Sequence, residues 1–219
     1  MKKGLFITFE GPEGSGKSTH IAKLAARLRG IGYKVVMTRE PGGTPAGEAI
    51  RHVLQHDMRG ENMSPEAETL LFLASRAQLV RRVILPELRK GACVISDRFA
   101  DSTIAYQGYG RGLNVDDLLR LNRFAVGEAV PDITILLDVD VERGFTRLKE
   151  RNRKKKASHD RIERENILFH RKVREGYLKL ARKWPKRFCV VDANGGLNEV
   201  EDAVWAVVGK KVANLVPYT

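Results

Sequence analysis

Apolar residues in this chain gather in short unbroken runs, with longer stretches of helical spacing between them. Leu5-Phe6-Ile7-Thr8-Phe9 is the first run and ends at Glu10-Gly11. Comparable runs lie at 33–38, at 92–96 leading into Asp97-Arg98, at 133–137 and at 187–191. Runs of this length and β-branched content predict five strands. Between the first two, apolar Ile21, Leu24, Ala25 and Leu28 share one face of a helix predicted over 17–29, closed by Gly30 and Gly32. Residues 46–56 read as a short helix. A long helix is expected from Ser64 to just before Gly91, with Pro65 in its first turn and Glu66 and Glu68 at the positive end of its dipole. A last amphipathic helix covers 198–212. Pro and Gly in Arg39-Glu40-Pro41-Gly42-Gly43-Thr44-Pro45 predict a loop.

Strands that are apolar throughout, rather than alternating, are buried on both faces. Their alternation with helices predicts an α/β fold: one doubly wound domain over 1–219 with a five-stranded parallel sheet. In such sheets ligands gather at the carboxyl ends of the strands. The composition agrees, with 219 residues, 42% hydrophobic and 30% charged. No apolar run approaches the roughly 20 residues that span a bilayer. Glu10-Gly11 interrupts the first run too early for a signal peptide. Cys93 and Cys189 lie in strand-like runs without metal spacing, so buried reduced thiols of a cytoplasmic protein are expected.

Candidate chemistry starts at Gly11-Pro12-Glu13-Gly14-Ser15-Gly16-Lys17-Ser18, followed by Thr19. This is a complete G-x-x-x-x-G-K-[ST] loop with a strand before it and a helix after it. Glycines let backbone N–H groups turn inward around phosphate oxygens, and the helix N-terminus adds partial positive charge. Lys17 can reach the β- and γ-phosphates, and Ser18 can ligate Mg²⁺. The loop points to ATP or GTP without naming a second substrate. Arg39 and Asp97-Arg98 follow strand ends, and Tyr106-Gln107-Gly108 comes one short helix later. Two arginines beside the loop lysine suit a second phosphate facing the first. Asp97 can hold Mg²⁺ in the Walker B manner. Phe72 and Arg76 share a helix face at i, i+4, where ring and guanidinium can stack and bond a flat base. The pattern around Phe72, within Leu70-Leu71-Phe72-Leu73, by itself favours core packing, and the plain alternative for Arg76 is a surface salt bridge.

The net charge of +12 is concentrated: residues 143–187 hold 18 basic against 5 acidic residues, a local charge of +13. Such a surplus fits a polyphosphate ligand, a nucleic acid, or a solvated basic helix face.

Taken together, G-P-E-G-S-G-K-S, T-R-E-P-G-G-T-P at 38–45, F-L-A-S-R-A-Q at 72–78, D-R-F-A-D-S-T-I-A-Y-Q-G at 97–108 and D-R-I-E at 160–163 resemble the thymidylate kinase family from Phe6 to about Asp192. The resemblance implies a P-loop nucleoside monophosphate kinase with a helical lid, moving the γ-phosphoryl of ATP to dTMP with Mg²⁺. It implies that Phe72 stacks on thymine, Arg76 bonds the base edge, and Arg39 and Arg98 grip the dTMP phosphate. Thr103 and Gln107 would line the base and sugar pocket, and Tyr106 would sit where a ribose 2′-OH would project. A homodimer is also implied. With no arginine among the variable loop positions Pro12, Glu13, Gly14 and Ser15, lid arginines between 147 and 164 are expected at the ATP phosphates, Arg161 first and Arg153 second. Lys154, Lys155 and Lys156 read as solvated charge. A kinase for dUMP, UMP or GMP, and a nucleic-acid-stimulated ATPase using the basic stretch, are the rival readings. The segment 146–168 holds no aromatic residue for base stacking before Phe169 and no RNA-binding signature, so no nucleic-acid partner is expected.

Overall fold

In a computed structural model the chain is described over residues 4–56, 62–155 and 160–213. The elements follow in the order β1 (Leu5–Glu10), α1 (Lys17–Gly30), β2 (Val35–Arg39), α2 (Pro45–Gln55) and α3 (Pro65–Leu79). A π-helical turn (Val80–Ile84) then joins α3 to α4 (Leu85–Arg89). β3 (Cys93–Asp97), α5 (Ala100–Thr103), a second π-helical stretch (Ile104–Gly110) and α6 (Val115–Val126) come next. β4 (Ile133–Asp138), α7 (Val141–Lys155), α8 (Ile167–Lys183), β5 (Phe188–Asp192) and α9 (Leu197–Ala213) complete the order.

All four pairings in the five-stranded sheet are parallel, in the order β2-β3-β1-β4-β5. The register Leu5↔Cys93 and Ile7↔Ile133 places β1 at the centre, between β3 and β4. That explains its residues, every one of which is buried. Leu5, Ile7 and Phe9 pack on one face against Leu24 and Leu28 of α1 and Val200, Val204 and Val208 of α9. Phe6 and Val94 pack on the other face against Leu79, Val80 and Ile84. The edge strands are half open, as at Met37 and Val190. Cys93 is buried, and burial pushes its thiol up to about 12. Cys189, on the edge strand β5, is only half-buried, which corrects the expectation of two buried thiols.

The long helix expected over 64–90 is divided. Ser64 caps it, its Oγ accepting from Ala67 N–H at 3.2 Å. Pro86 has no N–H, and its ring would strike the carbonyl four residues back, so the ladder widens just before it. The Leu85 N–H accordingly donates to Val80 O, five residues back. α7 runs on as helix to Lys155, so Lys154 and Lys155 close a helix. Residues 156–159, with Lys156, lie outside the described residues, so the Lys-rich stretch is only partly seen. α6, absent from the strand-and-helix pattern above, packs against α3 and the second π-helical stretch, with Asn114 Oδ1 accepting from Asp116 and Asp117 N–H.

Candidate functional site

The carboxyl ends of β1, β2 and β3 open into a cavity of about 800 Å³. Its floor is the phosphate loop between β1 and α1. Gly14 (φ 71°) and Gly16 (φ 88°) take left-handed backbone that side chains disfavour. A Cβ on Gly14 would also lie 2.0 Å from the Gly144 carbonyl oxygen, so α7 packs directly on the loop. Residues Glu13 to Thr19 line the cavity, whereas Gly11 and Pro12 sit beneath it. Lys17 Nζ donates to Gly11 O (3.1 Å), Pro12 O (2.9 Å) and Ser15 Oγ (3.3 Å). Burial, followed by the nearby Arg98, pushes its ammonium down to about 8, against the pull of Glu13, Asp97 and Glu10. Ser18 Oγ donates to Asp97 Oδ2 at 2.8 Å. This hydroxyl–carboxylate pair beside a phosphate loop is the hard-oxygen donor set that Mg²⁺ takes. Among the described residues no group of three or more His, Cys, Asp or Glu is placed to hold a metal ion.

Arg98 stands beside the loop with φ 69°. Its Nη2 donates to Glu13 Oε1 (2.5 Å) and its Nη1 to Gly11 O (3.0 Å) and Tyr177 OH (3.2 Å). Tyr106 OH also donates to Glu13 Oε1, at 2.9 Å. Burial raises the Glu13 carboxyl, but Arg98, Lys17 and the Tyr106 hydroxyl outweigh it and hold it down to about 2. Glu13 thus supplies an anion where positive charge converges. Arg39 lines the same cavity, more than half exposed and paired with both Glu48 oxygens at 2.9 and 3.0 Å. Arg51, which the sequence reasoning passed over, lines it from α2 and donates to Pro41 O at 3.0 Å.

The same cavity is lined by Phe72, Arg76, Thr103, Tyr106 and Gln107. Phe72 is half-buried and belongs to none of the three core clusters among the described residues, so core packing does not account for it. Arg76 is 1% exposed, and its salt bridge to Glu40 (2.6 Å) is buried, not at the surface. All its N–H groups are engaged: Nε and Nη2 with Glu40, Nη1 with Thr103 Oγ1 (2.8 Å) and Asn122 Oδ1 (2.6 Å), and Nη2 also with Phe99 O (2.9 Å). A base edge would have to share or replace one of these. Gln107 is 2% exposed and donates through Nε2 to Glu68 Oε1 at 2.8 Å.

The lid arginines are placed differently from the expectation. Arg161 does not line the cavity. Its guanidinium pairs with Glu68 and donates to Leu54 O (3.2 Å), strapping residues 160–161 to α2 and α3. Arg153 is exposed on α7 and away from the cavity. Arg147 and Arg151, one helical turn apart, line the cavity instead, as does Arg164. Arg147 Nη1 donates to Ala193 O (2.9 Å), and Arg151 Nη2 to Glu163 Oε1 (2.7 Å). Their i, i+4 spacing on α7 is the signal that would have found them. Glu68 and Glu10 carried no such signal, because their partners are distant in the chain.

A parallel sheet with a phosphate loop at its centre, and one cavity lined by that loop and by Arg39, Arg51 and Arg98, defines a P-loop kinase of the nucleoside monophosphate type. The thymidylate kinase sequence profile matches residues 9–204, and the chain belongs to the thymidylate kinase family. It is 52% identical over 203 residues to thymidylate kinase of Thermomicrobium roseum, covering 93% of each chain. Against thymidylate kinase of Deinococcus radiodurans it is 46% identical over 211 residues, 96% of this chain and 99% of that one. The crystal structure of thymidylate kinase from Ehrlichia chaffeensis superposes with a TM-score of 0.75 at 36% identity, covering 94% of this chain and 98% of that one.

Proposed function

We infer that the chain transfers the γ-phosphoryl of ATP to dTMP, giving dTDP and ADP. The observation that carries this is one cavity lined by the phosphate loop, by Arg98 and by Phe72, Thr103, Tyr106 and Gln107 together. Phosphoryl transfer needs positioning and charge neutralisation more than covalent chemistry. The acceptor is itself a phosphate oxygen, already nucleophilic near neutral pH, so no general base is required.

In this reading the phosphate loop cradles the ATP phosphates, and Lys17 leaves its carbonyl partners for the β- and γ-phosphate oxygens. Ser18 and Asp97 hold Mg²⁺, which supplies further charge neutralisation at the phosphates. Arg98, Arg39 and Arg51 clasp the acceptor phosphate. Phe72 supplies the stacking face for the base, Thr103 and Gln107 its polar edge, and Tyr106 the wall beside the sugar. Arg76 acts through Thr103, whose hydroxyl it holds. Residues 147–164 act as a lid, with Arg147 and Arg151 rather than Arg153 or Arg161 turned to the phosphates; closing it excludes water from the transfer.

No helix among the described residues is long and apolar enough to cross a membrane. A homodimer formed through α3 and α6 accounts for their outward Leu70, Leu121 and Phe124, which are 57%, 40% and 84% exposed.

The test is ADP release with Mg-ATP and a panel of dTMP, TMP, dUMP, dCMP, AMP and GMP. The expected result is the highest kcat/KM for dTMP, with TMP disfavoured through Tyr106. A higher kcat/KM for any other monophosphate would overturn the substrate assignment.

A further inference from the structure

Glu10 is the last residue of β1, immediately before the phosphate loop, and its side chain is fully buried. A buried carboxylate needs donors, and this one has three. Phe99 N–H donates to Oε1 at 2.8 Å; Ser102 Oγ (2.6 Å) and Tyr177 OH (2.9 Å) donate to Oε2. Burial, with Asp101 adding to it, pushes the carboxyl up to about 7, against Ser102, Arg98 and Tyr177. Nothing in the phosphoryl transfer uses this group directly, and Glu10 does not line the cavity.

Its partners surround one residue. Arg98 is the only non-glycine residue with positive φ among the described residues. That backbone is disfavoured and persists only where its surroundings over-determine it. Here the Arg98 N–H donates to Phe9 O (2.9 Å), and Ser96 Oγ donates to Arg98 O (2.7 Å). The next N–H, that of Phe99, is the one Glu10 takes. The side chain is reached as well: Arg98 Nη1 donates to Tyr177 OH, the hydroxyl that donates to Glu10. One carboxylate therefore grips Arg98 by its backbone and, through Tyr177, by its guanidinium.

We propose that Glu10 is a positioning residue, which ties the acceptor-side Arg98 to the strand that carries the phosphate loop and so fixes the distance between the two phosphate sites. This rests on the assignment of Arg98 to the acceptor phosphate. Because Glu10 and the loop are consecutive, any shift of Arg98 relative to the donor phosphates must break one of these bonds. In-line transfer is sensitive to such shifts: a misplacement of about 1 Å can cost roughly 100-fold.

The experiment is a double-mutant cycle. Glu10→Gln keeps shape but leaves one of the three donors facing an amide N–H. It should lower kcat/KM for dTMP at least about tenfold while the Kd of a fluorescent ATP analogue stays within about twofold. Tyr177→Phe, which keeps the ring and its packing, should lower the same parameter by a smaller factor. In an Arg98→Ala background both should add less than about twofold, because their effect passes through Arg98. Effects that multiply in that background, or no loss of kcat/KM in either variant, would overturn the proposal. Should Glu10→Gln fail to fold, Tyr177→Phe decides by the same criteria. An Arg98→Ala enzyme with normal dTMP turnover would instead refute the acceptor assignment of Arg98. A crippled Arg98→Ala with silent Glu10→Gln and Tyr177→Phe would refute only the role of Glu10.

Discussion

In the proposed transfer Lys17 carries the charge nearest the moving phosphoryl group, and its surroundings set when that charge exists. Burial, then Arg98, pushes its ammonium down to about 8. The dependence of kcat/KM on pH reports the ionisations of the free enzyme. With ATP and dTMP both well below saturation, kcat/KM should therefore fall as pH rises through about 8, since the neutral amine no longer attracts phosphate. Bound triphosphate stabilises the ammonium, so the alkaline limb of kcat should lie at higher pH. A kcat/KM profile that stays flat to pH 10 would contradict this. Lys17→Ala should lower kcat about 100- to 1000-fold, as removal of one preorganised donor does. At this scale the sequence was legible wherever structure is local: Gly14, Gly16, Lys17 and Ser18 lie in the turn between β1 and α1 that their motif defines, and line the cavity. Arg76 was less so, because its partners Glu40, Thr103 and Asn122 lie 27 to 46 residues away and pairing at that range leaves no periodic mark.

Among the elements, α7 and the strap after it divide the lid arginines into two kinds. Arg151 faces the cavity at the end of a helix whose first turns pack on the phosphate loop. Arg161 fastens the strap to Glu68, which is 1% exposed and also holds Gln107 and Arg111. Arg151→Ala should lower kcat strongly with a modest change in ATP KM, since its contact would form mainly in the closed, reacting state. Arg161→Ala should act through closure: ADP release without dTMP should rise severalfold as water enters, with a smaller loss of kcat. Identical losses of kcat in both, with no acceptor-free hydrolysis in the second, would sink this division. The spacing of D-R-I-E could place an arginine in the lid. It could not say which way that arginine turns, because Glu68 comes from another helix. The Pro86 turn was equally hidden: the proline was visible, but the ladder's response to it is set by packing against Val94 and Phe99.

For the molecule as a whole, the apolar residues left outside are as informative as those within. Phe124, at 84% exposed, stands with Leu121 and Leu70 on neighbouring helices. Large contiguous apolar patches on a soluble surface mark interaction sites. Light scattering should give twice the 24.6 kDa chain mass, and Phe124→Glu should shift it toward the single chain by placing a charge in the apolar contact. A wild-type protein of single-chain mass at tens of micromolar would end the dimer proposal.

The sequence by itself determined the fold class, the five strands to within a residue or two, the phosphate loop and the family. Each depends on neighbours along the chain: periodicity, turn chemistry, or a motif bridging one strand and one helix. Tertiary structure alone decided the sheet order β2-β3-β1-β4-β5, the gathering of Arg51, Arg98 and Phe72 around one cavity, and the turn of Arg161 away from it. It also decided that Glu10, one residue before an obvious motif, grips a residue 88 positions further on. Those outcomes follow from which buried charges find partners across the fold, and burial is a property of the packed molecule rather than of any local stretch of its sequence.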